Sequence, residues 1–569
     1  MKKVIIVSFL ASNILFGANF PNVDAIQNSI NLPKTVEEKN LENKNNLIEI
    51  DGKKKYAPVM IDDKSGKKLY IKNYTFEGNE HILSIDLEKL TNSFKDKELS
   101  FSELQNIASL ITKEYRDRGY FVARAYIPKQ NIQENDNVLK IAIIEGNYGQ
   151  FKLTNNSYVK DFFIQAILDD AKSRDDVIGT NTLERSMLII NDLPGVIVSK
   201  ANVKPGVDVG TSDFEIETQK TSFYDGYLVG DNYGSKFTGK NRIIAGLNLN
   251  SPLQLGDKLS FNGLISNGEN IKNYKMGYSF PLMANGLKAE TSYSKTKYDL
   301  VKLDQTTPDG IYDGYTSNIE AGIIYPIIRS RIENLNISTY YSNKKLKDYY
   351  DDSISKNREI NNIKIGLDYT KNYSLLGFDT YTKLESFYTL GKLNIKDADS
   401  KELDKNGVNT QGSYSKVNLN LESEMIFTPV YSLNTNIKTQ YALKNKNLDG
   451  SEDFTLGGSD GVKVFSDSEQ SVENALVFNV EFFTKLPNIS ELNHKIGFFY
   501  DLGTGDMSNS SKDTEFEKRT LQDIGIGYYT NYKNSFTRLQ LARVVGGQDI
   551  EVESVGNISR VLLQIGIVF

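Results

Sequence analysis

The chain has 569 residues, 39% of them hydrophobic, with 67 basic against 73 acidic side chains and a net charge of −6. Interspersed charge with an acidic balance gives a nucleic-acid partner no electrostatic support, and the absence of cysteine excludes a disulfide framework and a thiolate metal site. Past residue 18 no apolar run is long enough for a membrane-spanning helix. Tyrosine (33) and phenylalanine (28) are plentiful, and a polar, aromatic-rich chain of this length fits several domains including a membrane β-barrel, whose lipid face takes every second residue.

In chain order, Lys2 and Lys3 precede an apolar core over 4–16 and the small residues Gly17 and Ala18, the pattern of a signal peptide over 1–18. Residues 19–66 are rich in Asn, Lys, Glu and Asp, a linker composition that buries too little to fold alone. Within it Val23, Ile26 and Ile30 follow Pro21-Asn22 at helical spacing, a possible short plug helix. Two α+β units follow, over 67–147 and 148–219. The first reads as a strand at 69–76, helices at 85–94 and 101–118, and strands at 120–127 and 138–144. Leu104, Ile107, Ala108, Ile111 and Tyr115 share one helical face. The second repeats the order: strand 149–153, helices 158–171 and 183–191, strands 196–203 and 212–218, with turns at Pro194-Gly195 and Pro205-Gly206.

From about 220 to 569 the helical periodicity stops, and roughly sixteen strand-like segments alternate with loops rich in Asn, Asp, Lys, Ser and Gly, as expected for an antiparallel transmembrane barrel. The loops at 298–313 and 397–413 are examples. In the last segment Val561, Leu563, Ile565, Ile567 and Phe569 form an all-apolar face, while Leu562, Gln564, Gly566 and Val568 form the other. Such a strand is expected to close the barrel on the first one, which removes the exposed edge it would otherwise leave.

From about residue 69 onward the chain resembles the outer-membrane transporters of two-partner secretion, the haemolysin/haemagglutinin secretion and activation family within the barrel-assembly superfamily. The first unit is similar to that family's first periplasmic POTRA domain through Phe76-Glu77-Gly78-Asn79, the run 115–120, the run 123–128 and Ile144-Glu145-Gly146. The second carries Asn191-Asp192-Leu193-Pro194-Gly195-Val196 and Lys204-Pro205-Gly206, and the barrel opens with Asp231-Asn232-Tyr233-Gly234-Ser235. Between candidate strands eleven and twelve, residues 456–465 resemble the family's long loop that folds into the pore carrying an arginine. Here that position holds Lys463, and the glycine position after it holds Val464. Strand thirteen has the family's Phe-x-Asp-x-Gly pattern in Phe499, Asp501 and Gly503, which period 2 places on one face; an Asp facing lipid is costly, so that face is expected to be lumenal.

The resemblance implies a pore that recognises one large exported partner, of adhesin or haemolysin type, in the periplasm and passes it unfolded to the cell surface without nucleotide. A barrel-insertion factor of the same superfamily is the alternative. The expected pore-loop residues are Gly457, Gly458, Lys463, Phe465, Phe499, Asp501 and Gly503, with Lys463 paired to Asp501 in a wet lumen at a worth of about 1 kcal/mol. Capture of an extended cargo by strand addition is expected along 121–127, through Phe121, Arg124 and Tyr126, if that segment is an edge; 196–203 is the second candidate. The resemblance also implies dependence on the barrel-assembly machinery and contact with outer-membrane lipid. No catalytic cluster, metal site or cofactor is expected: the two histidines, His81 and His494, lie in different domains, and there is no P-loop.

Overall fold

A computed structural model describes residues 68–569 apart from 209, 301–311, 513–515, 547 and 554–555. The expected signal peptide, linker and plug helix lie outside the described residues, as does most of the loop read at 298–313.

The first α+β unit runs β1 (Lys68–Ile71), β2 (Asn73–Glu77), α1 (Ser84–Thr91), β3 (Lys97–Ser100), α2 (Phe101–Asp117), β4 (Arg124–Tyr126) and β5 (Val138–Ile144). Helix α2 starts where Ser100 and Glu103 form a capping box, and its apolar stripe from Leu104 to Tyr115 is fully inside. Its chain leaves through Gly119 at φ 96°, a conformation that disfavours a Cβ. The main sheet has the order β2-β5-β4, with β2 parallel and β4 antiparallel to β5, so β4 lies at an edge. The segment read as one strand at 69–76 is two, because β1 turns away to pair with β3.

The second unit contains β6 (Asn147–Asn156), α3 (Asp161–Arg174), α4 (Thr180–Asp192), β7 (Ile197–Pro205) and β8 (Thr211–Gln219), in the sheet order β6-β8-β7. The two units are tied by backbone bonds. The Thr180 N–H donates to the Gly119 carbonyl and the Ile178 N–H to that of Gly146, each at 2.9 Å.

The remainder forms a barrel. Its first nine strands are β9 (Tyr224–Asp231), β10 (Arg242–Asn250), β11 (Lys258–Ser266), β12 (Ile271–Pro281), β13 (Lys288–Asp299), β14 (Tyr312–Arg329), β15 (Glu333–Tyr350), β16 (Ser353–Leu375) and β17 (Phe378–Ile395). Then come α5 (Ala398–Asn406), β18 (Gly412–Ile426), β19 (Tyr431–Ala442), two short strands β20 (Phe454–Thr455) and β21 (Ser471–Val472), and β22 (Asn474–Lys485). The last four are β23 (Leu492–Asp506), β24 (Thr520–Tyr532), β25 (Ser535–Val544) and β26 (Ser559–Val568). Leaving out β20 and β21, which pair only with each other, each strand bonds to the next and β26 returns to β9: a closed sixteen-strand antiparallel barrel.

The burial pattern is inverted relative to a soluble sheet. On β26 the apolar residues Val561, Leu563, Ile565 and Ile567 are exposed on the outside while Leu562, Gln564 and Gly566 are buried toward the lumen. An exposed apolar band around a polar interior is the condition for sitting in lipid. Helix α5 departs from the expectation that helix ends at residue 220. It is a polar helix with no buried residue, so no apolar stripe announced it; Asp397 starts it by accepting the Ser400 N–H.

Candidate functional site

The site is built by residues 443–473, which leave β19 and return to β22 through the interior of the barrel. Strands β20 and β21 pair at the neck of this loop. Beyond them the tip turns so tightly that a Cβ on Gly457 would lie 2.1 Å from the Ser466 carbonyl oxygen, and Gly458 takes φ +99°. Leu456, Val462, Val464 and Phe465 are all buried in one cluster with Val477, Phe499 and Leu521 of the wall, and Gly503 leaves the space that the Val462 side chain fills. The tip is therefore packed on β22, β23 and β24 as a small apolar core.

One cation lies inside that core. Lys463 Nζ donates to both carboxylate oxygens of Asp501, at 2.9 and 2.8 Å, and sits 4.4 Å from the centroid of the Phe499 ring. Asn479 Nδ2 donates to Asp501 Oδ1 and to the Gly461 carbonyl, both at 2.8 Å. Lys463 is 8% and Asp501 0% exposed, whereas the neighbouring Phe498 is 56% exposed toward lipid. The expectation of a wet lumenal pair is thus corrected: the apolar tip excludes water, so removing one partner strands the other, at a cost of about 3–5 kcal/mol. All seven residues expected at the pore loop meet here, and Phe465 is held further by Arg560, whose Nη1 donates to its carbonyl at 2.8 Å.

Sequence reasoning missed Asp523 on β24. Its Oδ2 accepts the Val464 N–H at 2.6 Å, and it lies in register with Asp501. The signal was present: Leu521, Asp523 and Gly525 repeat the apolar-x-Asp-x-Gly spacing of strand thirteen. Val464 at the glycine position is accommodated because its φ is negative and its side chain joins the tip cluster.

On the opposite side of the barrel, the second unit is docked on the short turns. Arg185 of α4 donates to the carbonyls of Pro326, Asn285 and Ile327, and Arg329 forks onto Asp192 at 2.7 and 2.8 Å. Of the residues expected to bind cargo, Arg124 and Tyr126 lie on the edge strand β4. Phe121 precedes the strand and packs against the core of the second unit, so it serves the junction between the two units and is not part of the edge. The Ala125 N–H, which points off the edge, donates to Thr112 Oγ1 of α2 at 2.9 Å. Strand β7, within which most of 196–203 falls, is also an edge.

Comparison with known proteins decides the family. The model of the haemolysin secretion/activation proteins ShlB/FhaC/HecB matches residues 210–528, and that of the ShlB-type POTRA domain matches 69–146. The chain belongs to the ShlB/FhaC/HecB family. The heme/hemopexin transporter protein HuxB of Haemophilus influenzae (strain 86-028NP) is 28% identical over 453 residues, 79% of this chain and 78% of HuxB. The hemolysin transporter protein HpmB of Proteus mirabilis is 25% identical over 300 residues, 52% of this chain and 50% of HpmB. Among solved structures, CdiB from Escherichia coli shares the fold with a TM-score of 0.74 at 18% identity, covering 96% of this chain and 98% of that one. Within the ShlB/FhaC/HecB family, the two α+β units are the POTRA domains.

Proposed function

We propose that this chain is the outer-membrane transporter of a two-partner secretion pair, with its barrel in the outer membrane and its POTRA domains in the periplasm. The observation that carries the reading is a closed barrel crossed by an inward loop, with the second POTRA domain docked at one mouth and the first tied to it. A transporter family is not an enzyme family, and the secretory reading is favoured over barrel insertion because the relatives carry transporter names. As HuxB and HpmB are named for heme/hemopexin and hemolysin transport, the cargo here is a secreted exoprotein. We take it to be a large adhesin or haemolysin, captured in extended form at β4 beside Arg124 and Tyr126 and passed through the lumen without nucleotide. Main-chain pairing at an edge suits an unfolded chain of any sequence. Insertion of the barrel itself is assigned to the barrel-assembly machinery.

The test is deletion and complementation in the producing cell, following the exoprotein encoded beside this gene. Loss of the transporter is expected to move that protein from the medium to the periplasm, and complementation to return it. Unchanged export without the transporter would contradict the reading.

A further inference from the structure

We infer that the pore loop carries a second latch, in which Asp449 and Glu452 hold its ascending arm to the wall of β15, β16 and β18, and that this arm releases during export while the tip stays on Asp501. The inference rests on the secretory reading above.

The second latch is built as fully as the first. The Glu452 carboxylate lies 2.9 Å from Lys344 Nζ and 3.0 Å from Lys416 Nζ. The Glu452 carbonyl accepts from Lys416 Nζ at 2.6 Å and from Gln440 Nε2 at 3.1 Å. Arg358 Nη1 donates to both oxygens of Asp449, at 2.8 and 2.7 Å, and its Nη2 reaches Asp348 on β15 at 2.8 Å. Asp449, Glu452 and Lys416 are all buried. Loop acids therefore meet wall cations on strands far around the barrel from β23, and the loop spans the lumen between two anchors.

The two anchors differ in kind. The tip buries Leu456, Val462, Val464 and Phe465, and lifting it would expose all four to water. The arm buries one large apolar side chain, Leu448, beside Leu346 and Ile360; the rest of its hold is polar, the two sets of ion pairs together with hydrogen bonds such as those from Asn447 Nδ2 to the Val408 and Asn509 carbonyls at 3.2 and 3.3 Å. A buried ion pair yields little net free energy because separated charges regain their hydration, whereas apolar area regains nothing. The arm is thus the part that gives. Its release also leads somewhere. A cavity of about 1580 Å³ rises from Ile189 and Leu193 of the second POTRA domain and is lined all round, by Tyr340, Lys383 and Phe387 of β15 and β17 and by Lys495 and Tyr529 of β23 and β24. Opening there extends this cavity past the loop.

Because the chain has no cysteine, paired substitutions give clean cross-links. Glu452→Cys with Lys416→Cys locks the arm, and Asp460→Cys with Lys438→Cys, where the Lys438 ammonium reaches the Asp460 carbonyl of the tip at 3.1 Å, locks the tip and leaves the Lys463–Asp501 pair intact, each through a short cleavable bismaleimide. Assembled barrel is scored by heat-modifiable migration. Arm-locked transporter is expected to lose export and bilayer channel openings and to regain both on cleavage; tip-locked transporter is expected to keep both. The Asp449→Asn, Glu452→Gln double variant is expected to open about tenfold more often in planar bilayers. Export that survives the arm lock, or openings unchanged by neutralising the acids, would overturn the inference. Channel openings are read without cargo, so a wrong secretory reading would abolish export in every variant yet leave the conductance differences intact.

Discussion

Lys463 offers a single ammonium to a site with two carboxylates. It satisfies Asp501, while Asp523 Oδ1 is buried without a hydrogen-bond partner among the described residues. A guanidinium has five donors in a fixed fork and can serve two neighbouring acids. Lys463→Arg is therefore expected to keep export and to slow proteolytic nicking of the loop. Asp501→Ala leaves the ammonium buried and unpaired, at about 3–5 kcal/mol, and is expected to lower export with normal barrel assembly. Cargo in the medium, normalised to assembled transporter, checks both; normal export by Asp501→Ala and Lys463→Ala alike would show that the pair does not position the loop. A second polar focus lies in the first POTRA domain, where Glu145 accepts from Tyr115 and His81, and His81 Nε2 is 3.3 Å from Asp175 of the next domain. Burial lowers the His81 pKa, but Glu145 and Asp175 outweigh it and the net shift is upward. A raised histidine pKa contributes stability that is complete below the unfolded value, near 6.5, and is lost as pH rises through the folded value. The contact between POTRA domains is expected to loosen in that window, and His81→Gln to abolish the pH dependence. With two histidines in the chain, imidazole resonances of the micelle-bound protein report it; an unshifted or lowered His81 titration would count against this. The Lys463–Asp501 pair was legible from a loop motif and a period-2 face. Its dryness was not, because it depends on Leu456 and Val462 packing across the lumen.

At the scale of elements, the strands were legible and their partners less so. Alternation located β26 closely because it has one lipid face and one lumenal face. The same rule could not detect α5, which has no apolar stripe, or the β1/β3 ladder, whose strands are four residues long. It was also silent on Asp449 and Glu452, since their cations come from strands about a hundred residues earlier or thirty to forty earlier in the chain. The seam between β26 and β9 supplies one prediction. The Phe569 N–H and carbonyl pair with Gly226 at 2.9 and 2.8 Å, and its ring lies where a Gly226 Cβ would point. Phe569→Ala removes the contact of a ring that is 54% exposed, about 1 kcal/mol, and is expected to slow barrel closure, seen as a larger heat-unmodified fraction on gels; wild-type migration would contradict this. The edge of β4 supplies another. Thr112 occupies the Ala125 amide that an added strand would need. Thr112→Val frees it, costing the domain about 1–3 kcal/mol, and is expected to raise cargo capture by the transporter while circular dichroism shows it folded. Unchanged capture would argue against strand addition at β4.

For the whole molecule, the order of parts was readable because each has its own composition: apolar periodicity of 3.6 in the POTRA helices, then period 2 through the barrel. How the parts meet was not readable, because the docking of α4 rests on Arg185 donating to backbone carbonyls of turns a hundred and more residues away, and carbonyls leave no trace in a sequence. That docking sets one mouth of the lumen beside Ile189 and Leu193, and the loop tip packs on the wall of β22, β23 and β24 inside the barrel. On the proposed function the molecule is a self-contained conduit, with capture at a POTRA edge, passage through the lumen, and a loop that yields without nucleotide. The most direct test is transport by the purified chain in sealed lipid vesicles, with the unfolded exoprotein from the adjacent gene added on the POTRA side and no nucleotide present. Cargo is expected to become protected from added protease on the far side, and the arm-locking cross-link to stop it. Cargo that stays fully digestible with assembled, unlocked transporter would contradict that expectation.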